Sequence, residues 1–429
     1  MRLEVGKVCI ESVQFGEATQ VVDGTLLIDR DELCRHVQGE DHRILGVGVE
    51  LANPGESTRI MPVKDVIEPR VKVNGSGGVF PGFVSGVQTV GSGRTLALAG
   101  CAVVTVSRII AFQEGIIDMD GPAAELSSFS GLRNIVVLFD LREDIAPHEK
   151  EAAVRLGGLR AAAYLGEAAR DVAPDEVVTY EAPPLGEALA AHPGLPKVVF
   201  VYMLQSQGLL HDTYVYGVDA KGIIPSLISP TEVLDGAIVS GNCVSACDKN
   251  TTYHHQNNPL IEELYAHHGK DLNFIGVVIT NENVTLADKE RSSDYTAKLV
   301  EMIGADGVII AEEGFGNPDT DLIMNCNKIE QRGIKTVLMT DEFAGRDGSS
   351  QSLVDASKQA DAVVSAGNAN ATITLPPMKR IIGHLDSADV LAGGFAGCLA
   401  DDGSITVELQ AIVGATNILG YELLSATEF

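Results

Sequence analysis

The sequence predicts an α/β protein in which a β-rich N-terminal region precedes strand/helix alternation around parallel sheets in both halves of the chain. Three observations support this prediction. Short alternating segments dominate residues 1–70. Beyond residue 270, continuous apolar strands alternate with amphipathic helices. The 429 residues, 45% of them hydrophobic, are enough to build two or three domains.

The first predicted domain is β-rich and extends over residues 1–130. The glycine-dense loop 74–82 matches neither pattern by which glycines bind dinucleotides or nucleotide phosphates, so a tight turn is its expected role. The predicted elements of this region are strands at 3–10, 25–28 and 96–106 and a short helix at 31–37.

The second predicted domain, residues 131–242, is α/β. Strand 134–139, an amphipathic helix at 149–170 and strand 197–202 predict a βαβ unit with parallel pairing, and residues 174–184 are expected to form a linker.

The third predicted domain, residues 243–429, carries the clearest alternation. Its predicted strands are 273–279, 307–310, 335–339 and 362–364, with helices at 292–303, 321–331 and 352–359. Ligands of open parallel sheets lie beyond the carboxyl ends of the strands. The loops 280–283, 312–317 and 341–347 are therefore expected to meet at one pocket.

Charge and cysteine usage limit the possible partners and compartment. With 31 Lys and Arg against 59 Asp and Glu, the net charge of -28 argues against nucleic acid or an anionic membrane as a partner. The N-terminus lacks the apolar core of a signal peptide, and the apolar run 96–107 is too short to span a bilayer. Seven scattered cysteines suit reduced thiols, so a cytoplasmic location is predicted.

The segment 240–250 contains the chemistry around which the prediction of function is built. The thiol of Cys243 reaches the carbonyl of Asn242 through a five-membered ring, so a thioester can replace that peptide bond. Elimination across the Cα–Cβ bond of Cys243 would then leave dehydroalanine, which becomes an imine and hydrolyses to a pyruvoyl group at a new N-terminus. The ketone of a pyruvoyl group condenses with amines.

Other interpretations of these residues stay open on spacing alone. Cys243 could be a buried structural residue after a turn, or a redox partner of Cys247. Intein-like splicing would need an inserted domain that the sequence lacks. Zinc binding by both cysteines and nearby histidines has unsuitable spacing, so no metal is expected. The histidine pairs at 254–255 and 267–268 are expected to be exposed, with His254 or His255 a candidate base for processing.

A resemblance to a known family supports self-processing. Residues 236–250 resemble the processing segment of component B precursors in the glycine/sarcosine/betaine reductase family. The resemblance covers essentially the whole chain, with further similar blocks at 1–6, 62–70, 112–119, 202–214, 280–283, 286–293 and 312–321.

The resemblance implies an enzyme subunit that acts in a multi-protein complex. Asn242 would be the acyl donor at the cleavage site, and Cys243 would become the covalent pyruvoyl cofactor, leaving residues 1–242 and 243–429 as two associated chains. The pyruvoyl group would bind the substrate amine as a Schiff base for reductive deamination of glycine to acetyl phosphate. The implied partners are a selenocysteine-containing subunit of component B, selenoprotein A and component C.

The sequence also gives candidates for the substrate and for the residues that bind it. Glycine is preferred on overall likeness, with the sarcosine or betaine enzyme, or a structural subunit with an unprocessed Cys243, as alternatives. We predict that Arg291 or Arg346, on loops after strands, binds the substrate carboxylate, although surface salt bridges would also account for both. His211 and His254 are further candidate site residues.

Overall fold

The computed structural model of the chain describes residues 1–208, 210, 213–241, 249–419 and 425–428. The strands before residue 242 are β1 (Arg2–Cys9), β2 (Ser12–Phe15), β3 (Gln20–Val22), β4 (Thr25–Ile28), β5 (Ile44–Ala52), β6 (Thr58–Ile67), β7 (Arg70–Asn74), β8 (Gly93–Ala99), β9 (Cys101–Val106), β10 (Gly115–Asp118), β11 (Arg133–Leu141), β12 (Glu176–Glu181), β13 (Lys197–Leu204), β14 (Thr213–Val215), β15 (Val218–Asp219), β16 (Ser226–Ile228) and β17 (Ile238–Ser240). The helices of this half are α1 (Arg30–Gln38), α2 (Pro147–Glu167), α3 (Leu185–Ala191) and α4 (Pro230–Leu234).

In its described residues, the second half has fewer strands than the first. Its strands are β18 (Asn273–Asn281), β19 (Gly307–Ala311), β20 (Lys335–Glu342), β21 (Ala362–Asn368), β22 (Thr372–Leu375), β23 (Arg380–Gly383), β24 (Ile405–Glu408) and β25 (Ser425–Glu428). Its helices are α5 (Thr252–Gln256), α6 (Pro259–His267), α7 (Leu286–Ile303) and α8 (Asn317–Glu330).

Two sheets and helix α2 build the N-terminal core. One sheet has the strand order β12-β1-β8-β7, and the other has the order β10-β6-β9-β11-β5, with β23 paired to β6. Helix α2 packs against strands of both sheets through small and apolar side chains such as Ala162 and Leu165, which are fully buried. Burial of this apolar surface is the main source of stability for the layer.

A larger sheet with the order β16-β18-β13-β19-β20-β21-β25 organises the rest of the described chain. Strands β18, β13, β19, β20 and β21 run parallel, and the antiparallel strands β16 and β25 close the two edges. Helices α7 and α8 pack against each other and contact β18, β19 and β20. Because β13 and β18 to β21 are parallel, their carboxyl ends lie at one edge, called here the carboxyl edge.

Each of the two large sheets combines strands from before and after residue 243. Strand β13, which precedes the predicted cleavage position, lies between β18 and β19, which follow it. Strand β23, from the second half, pairs with β6 of the first. Two chains produced by cleavage near residue 243 would therefore share both sheets.

The predicted fold class is confirmed, with differences in detail. The predicted strand 96–106 is two strands, because Gly100 has φ +89° and turns the chain from one sheet to another. Strands β11 and β13 lie in different sheets, so they do not form the predicted βαβ unit. The expected linker 174–184 contains strand β12, which pairs with β1.

Residues 352–359 are irregular rather than helical. In this segment Val354 N donates to Asp319 Oδ2 (2.5 Å) and Ser357 Oγ donates to Asn327 Oδ1 (2.5 Å). These contacts with helix α8 replace the local hydrogen bonds that a helix would have formed. Across the described ranges, no helix combines the length and the apolar character that crossing a membrane requires.

Candidate functional site

The predicted processing residues Asn242 and Cys243, together with Cys247, lie outside the described residues, as does His211. The structure does describe both flanks of this segment. The upstream flank is strand β17, which pairs with β14, and the downstream flank leads from Lys249 into helix α5.

One buried link joins the two flanks to each other and to strand β6. Ser240 N donates to Thr252 Oγ1 (2.9 Å), and Thr252 Oγ1 donates to Asp65 Oδ2 (2.6 Å). Asp65 Oδ1 also accepts from Thr252 N (2.9 Å). All three residues are at most 2% exposed. Burial raises the pKa of Asp65 to about 7, although the hydrogen bonds from Thr252 act to lower it. Asp65 can therefore gain or lose a proton near neutral pH.

A second buried carboxylate, Glu313, joins the downstream flank to the first half of the chain. Its Oε1 accepts from Asn250 N (3.0 Å), while its Oε2 accepts from Gln205 N (2.8 Å) and Thr213 Oγ1 (2.8 Å). Burial raises the pKa of Glu313, and the positive charge of Lys249 opposes that effect without cancelling it.

A hydroxyl and an imidazole extend this arrangement along the carboxyl edge. Tyr202 Oη lies 2.8 Å from His255 Nδ1 and accepts from Asn250 Nδ2 (3.0 Å). His255 Nε2 lies 3.5 Å from Glu313 Oε1. Burial lowers the pKa of His255 well below its ordinary value, and Lys249 lowers it further, so the imidazole is neutral. Glu313, His255 and Tyr202 thus form a buried cluster in which His255 is hydrogen-bonded to Tyr202 and lies beside Glu313 without a hydrogen bond to it.

His254 lies on the other side of the same helix. Its Nδ1 accepts from Asn417 Nδ2 (2.7 Å), and its ring lies against Phe129 with the centroids 4.9 Å apart. Burial lowers its pKa to about 3. The expectation that His254 and His255 are exposed is wrong, because α5 packs between β6 and β17 and both rings are 0% exposed.

Further acidic residues are buried at the carboxyl edge. Glu313 N donates to Glu282 Oε1 (3.1 Å), and Thr340 Oγ1 donates to the Glu312 carboxylate. The rings of Phe315 and Phe343 stack with centroids 3.4 Å apart, so the loops after β19 and β20 are in contact, and Glu313 N links the loop after β19 to the loop after β18. That the three loops line one pocket stays a prediction. Burial raises the pKa of Glu282 well above its ordinary value, and neighbouring carboxylates raise it further.

Sequence reasoning did not single out Asp65, Tyr202, Glu282 or Glu313. Each of them lies in a segment that resembles the reductase family, at 62–70, 202–214, 280–283 or 312–321. That resemblance was the available signal, whereas strand periodicity marked these residues only as neighbours of buried segments.

The two predicted carboxylate-binding arginines have different surroundings. Arg291 lies on helix α7 rather than on a loop, because the helix begins earlier than predicted, and its Nη1 pairs with Asp288 at 2.5 Å. Arg346 lies on the loop after β20, where its Nε pairs with Glu408 at 2.7 Å and its guanidinium lies 4.0 Å from the Phe395 ring centroid. Both arginines are in ion pairs, and the prediction that one binds a carboxylate stays open.

The flanks fit a site at which a carbonyl group could be generated and protected. Ser240 Oγ is buried and has no hydrogen-bond partner within the described ranges, and Lys249 is 3% exposed. Exclusion of water, neutral imidazoles and carboxyls with raised pKa values are the surroundings that acid–base chemistry near neutral pH requires.

Comparison with known proteins shows similarity to one family over nearly the whole chain. A protein-family model described as glycine/sarcosine/betaine reductase component B subunits matches residues 1–427. The glycine reductase complex component B subunits alpha and beta of Acetoanaerobium sticklandii are 60% identical over 431 residues, covering 100% of both sequences. The protein of the same name from Peptoclostridium acidaminophilum is 60% identical over 426 residues, covering 99% of each.

A sarcosine reductase complex component B subunit alpha from Peptoclostridium acidaminophilum is also similar, with 57% identity over 426 residues and 99% of each sequence covered. No solved structure matches this chain. The chain belongs to the family of glycine/sarcosine/betaine reductase component B subunits and is a subunit of a reductase complex.

Proposed function

We propose that this chain is a precursor that cleaves itself between Asn242 and Cys243 and so generates two subunits and a pyruvoyl group. The observation that carries the proposal is the fixation of both flanks. Ser240 is hydrogen-bonded to Thr252, Thr252 is hydrogen-bonded to Asp65, and Asn250 is hydrogen-bonded to Glu313, all in buried surroundings. A short segment between fixed ends suits an intramolecular reaction, because the reacting groups are held together.

The names of two relatives support the same proposal. Each is a single sequence as long as this chain, and its name covers two subunits, alpha and beta. A precursor that is cut once would account for both names. The exchange of β13 and β23 between the two sheets would keep the two products associated.

The cleavage requires proton transfers and no oxidant. Sγ of Cys243 attacks the carbonyl carbon of Asn242, the C–N bond breaks, and the thiol proton passes to the released nitrogen. Loss of the Cα proton of Cys243 then expels the sulfur together with the acyl group of Asn242. Water replaces the nitrogen, which leaves as ammonia. Tyr202, His255 and Glu313 are the candidate proton carriers on the downstream side, and Asp65 is the candidate on the upstream side.

The substrate that we propose is glycine. The pyruvoyl group would supply a carbonyl that takes the substrate amine as a Schiff base, which a primary amine or the secondary amine of sarcosine can form and the quaternary nitrogen of betaine cannot. Identities of 60% to glycine reductase subunits and 57% to a sarcosine reductase subunit favour glycine by a small margin.

The complex would complete the reaction in the cytoplasm. Its proposed partners are a selenocysteine-containing component B subunit, selenoprotein A and component C, with acetyl phosphate as the product. Support for these partners comes from similarity to subunits of glycine reductase complexes.

Two cysteine substitutions test the cleavage. Cys243→Ala should leave one full-length chain that does not react with a hydrazine, whereas Cys247→Ala, the matched control, should be cut and labelled like the wild type. Denaturing electrophoresis and hydrazine labelling measure both properties. Cleavage of Cys243→Ala would contradict the proposal, and a wild-type chain that stays whole in an active complex would favour a structural subunit.

A further inference from the structure

A cleft of about 370 Å³ opens beside the acidic residues of the carboxyl edge. One wall comes from residues 221–225, and the other comes from the end of β18 and the first turns of α7. Its volume lies at the low end of the range for small-molecule sites, which suits a small ligand. Ile224 and Val284 line it and are more than half exposed, so the mouth of the cleft is open to solvent.

The side chain of Asn281 holds the two walls in place. Its Nδ2 donates to the carbonyls of Ala220 (3.2 Å) and Ile223 (3.1 Å), and its Oδ1 accepts from Ser292 Oγ (2.8 Å) on α7. Asn281 is 3% exposed. The width of the cleft is therefore fixed by a buried side chain, which favours a binding site over a gap between mobile loops.

The charges that line the cleft are arranged from rim to floor. Lys221 and Arg291 are exposed cations at the rim. Arg291 is paired with Asp288, which lines the same cleft, whereas Lys221 forms no ion pair with any acid in the described part of the chain. The amino end of α7 lies at the same rim, where the helix dipole adds positive potential. Glu282, which is 1% exposed, lies at the floor with Glu313 and Glu312 behind it. Lys221 and the amino end of α7 make the rim favourable for an anion. Burial and the neighbouring carboxylates favour the uncharged form of Glu282, so the floor offers an amine a hydrogen-bonding carboxyl group rather than a negative charge.

Hydrogen bonds link the floor of the cleft to Asn250, in the downstream flank of the segment 242–248. Glu282 Oε1 accepts from Glu313 N (3.1 Å), and Glu313 Oε1 accepts from Asn250 N (3.0 Å). Two hydrogen bonds, through Glu282 and Glu313, therefore connect the cleft to the backbone of Asn250, which follows the segment 242–248.

We propose that this cleft binds the α-amino acid substrate, with the carboxylate at Lys221 and Arg291 and the amine directed towards Glu282. The inference rests on the proposed function, because it assigns the binding site of that reaction. It adds Lys221 as a carboxylate-binding residue, Glu282 as the residue that orients the amine, and Asn281 as a positioning residue. An amino acid presents a carboxylate to the rim cations and an amine to the carboxyl group at the floor, whereas an amine without a carboxylate contacts only the floor.

Lys221→Gln tests the proposal through two amines. The purified, cleaved protein is incubated with glycine or with methylamine and cyanoborohydride, and the mass added to the chain 243–429 is followed against amine concentration. We expect the half-saturating glycine concentration to rise by at least about fivefold in Lys221→Gln, because a charge-assisted hydrogen bond is lost. The curve for methylamine should not change, since methylamine has no carboxylate.

Lys298→Gln is the matched control, because Lys298 is an exposed lysine on α7 that does not line the cleft. It should leave both curves as in the wild type. Equal glycine curves for Lys221→Gln and wild type would overturn this inference and leave the proposed cleavage intact. Absence of any adduct on the wild-type chain, with glycine and with methylamine, would overturn the proposed function and this inference together.

Discussion

Buried carboxylates are held in different ways in two regions of the molecule. In the N-terminal sheets, Glu114 contacts the ammonium of Lys64, which is 0% exposed. Glu114 also accepts from backbone N–H groups, whereas Glu313, at the carboxyl edge, has only such neutral donors among its described hydrogen bonds, namely two backbone N–H groups and a hydroxyl. Burial raises the pKa of both, but at Glu114 it is outweighed by Lys64 together with the backbone N–H groups of Ile110 and Ala111, which leave the pKa below the ordinary value, whereas the pKa of Glu313 stays raised.

This difference distinguishes carboxylates that stabilise the fold from carboxyl groups that can take part in proton transfer. A carboxylate with its own cation stays charged and holds strands together, as Lys64 does between β6 and the residues around β10. A carboxyl held by neutral donors can change its protonation state near neutral pH. Groups of the second kind surround the flanks of the segment 242–248, which is where the proposed reaction needs them.

The largest effect is expected from Lys64→Met, which leaves the Glu114 carboxylate buried without its cation. Loss of one partner of a buried pair costs about 3–5 kcal/mol. Urea unfolding followed by circular dichroism measures the loss, and the folded fraction should still be cleaved as in the wild type. Lys335→Met, which removes an exposed pair with Asp361, should change stability by less than about 0.5 kcal/mol. Equal losses of unfolding free energy in Lys64→Met and Lys335→Met would contradict the structural role of the buried pair.

A smaller loss of stability is expected from Glu313→Gln, together with an effect on cleavage. The amide nitrogen would face one of the donors that the carboxylate now accepts, at a cost of about 1–3 kcal/mol. Cleavage should slow by at least about tenfold, because the ionisable group that contacts the backbone of Asn250, next to the segment 242–248, is lost. Mass spectrometry of the whole chain over time measures the cleaved fraction. An unchanged rate in folded Glu313→Gln would assign Glu313 a structural role alone.

The smallest expected effect is a change in the pH dependence of stability in the variant Asp65→Asn. The folded pKa of about 7 lies above the ordinary value, so folding takes up a proton and stability falls as the pH rises towards 7. Asparagine has no such proton, so the variant should gain in Tm relative to the wild type between pH 4 and about 7. A Tm difference that is constant over this range would contradict the raised pKa of Asp65.

The sequence predicts the α/β class, the main strands and the loops that meet at the carboxyl edge, because apolar runs mark buried strands locally. It does not predict Asp65 as a partner of Thr252, since these residues are 187 positions apart and strand periodicity carries no information on such pairs. The burial of His254 and His255 was missed for the same reason. Their five-residue helix is polar, and only its packing against β6 and β17 excludes water.

The central claim is self-cleavage between Asn242 and Cys243, and mass spectrometry of the intact wild-type protein tests it most directly. The protein would be purified with its partners from an active preparation and measured with and without a hydrazine. The account predicts two chains, residues 1–242 and 243–429, with one hydrazine adduct on the second chain alone. A single full-length chain without an adduct in that active preparation would contradict the account.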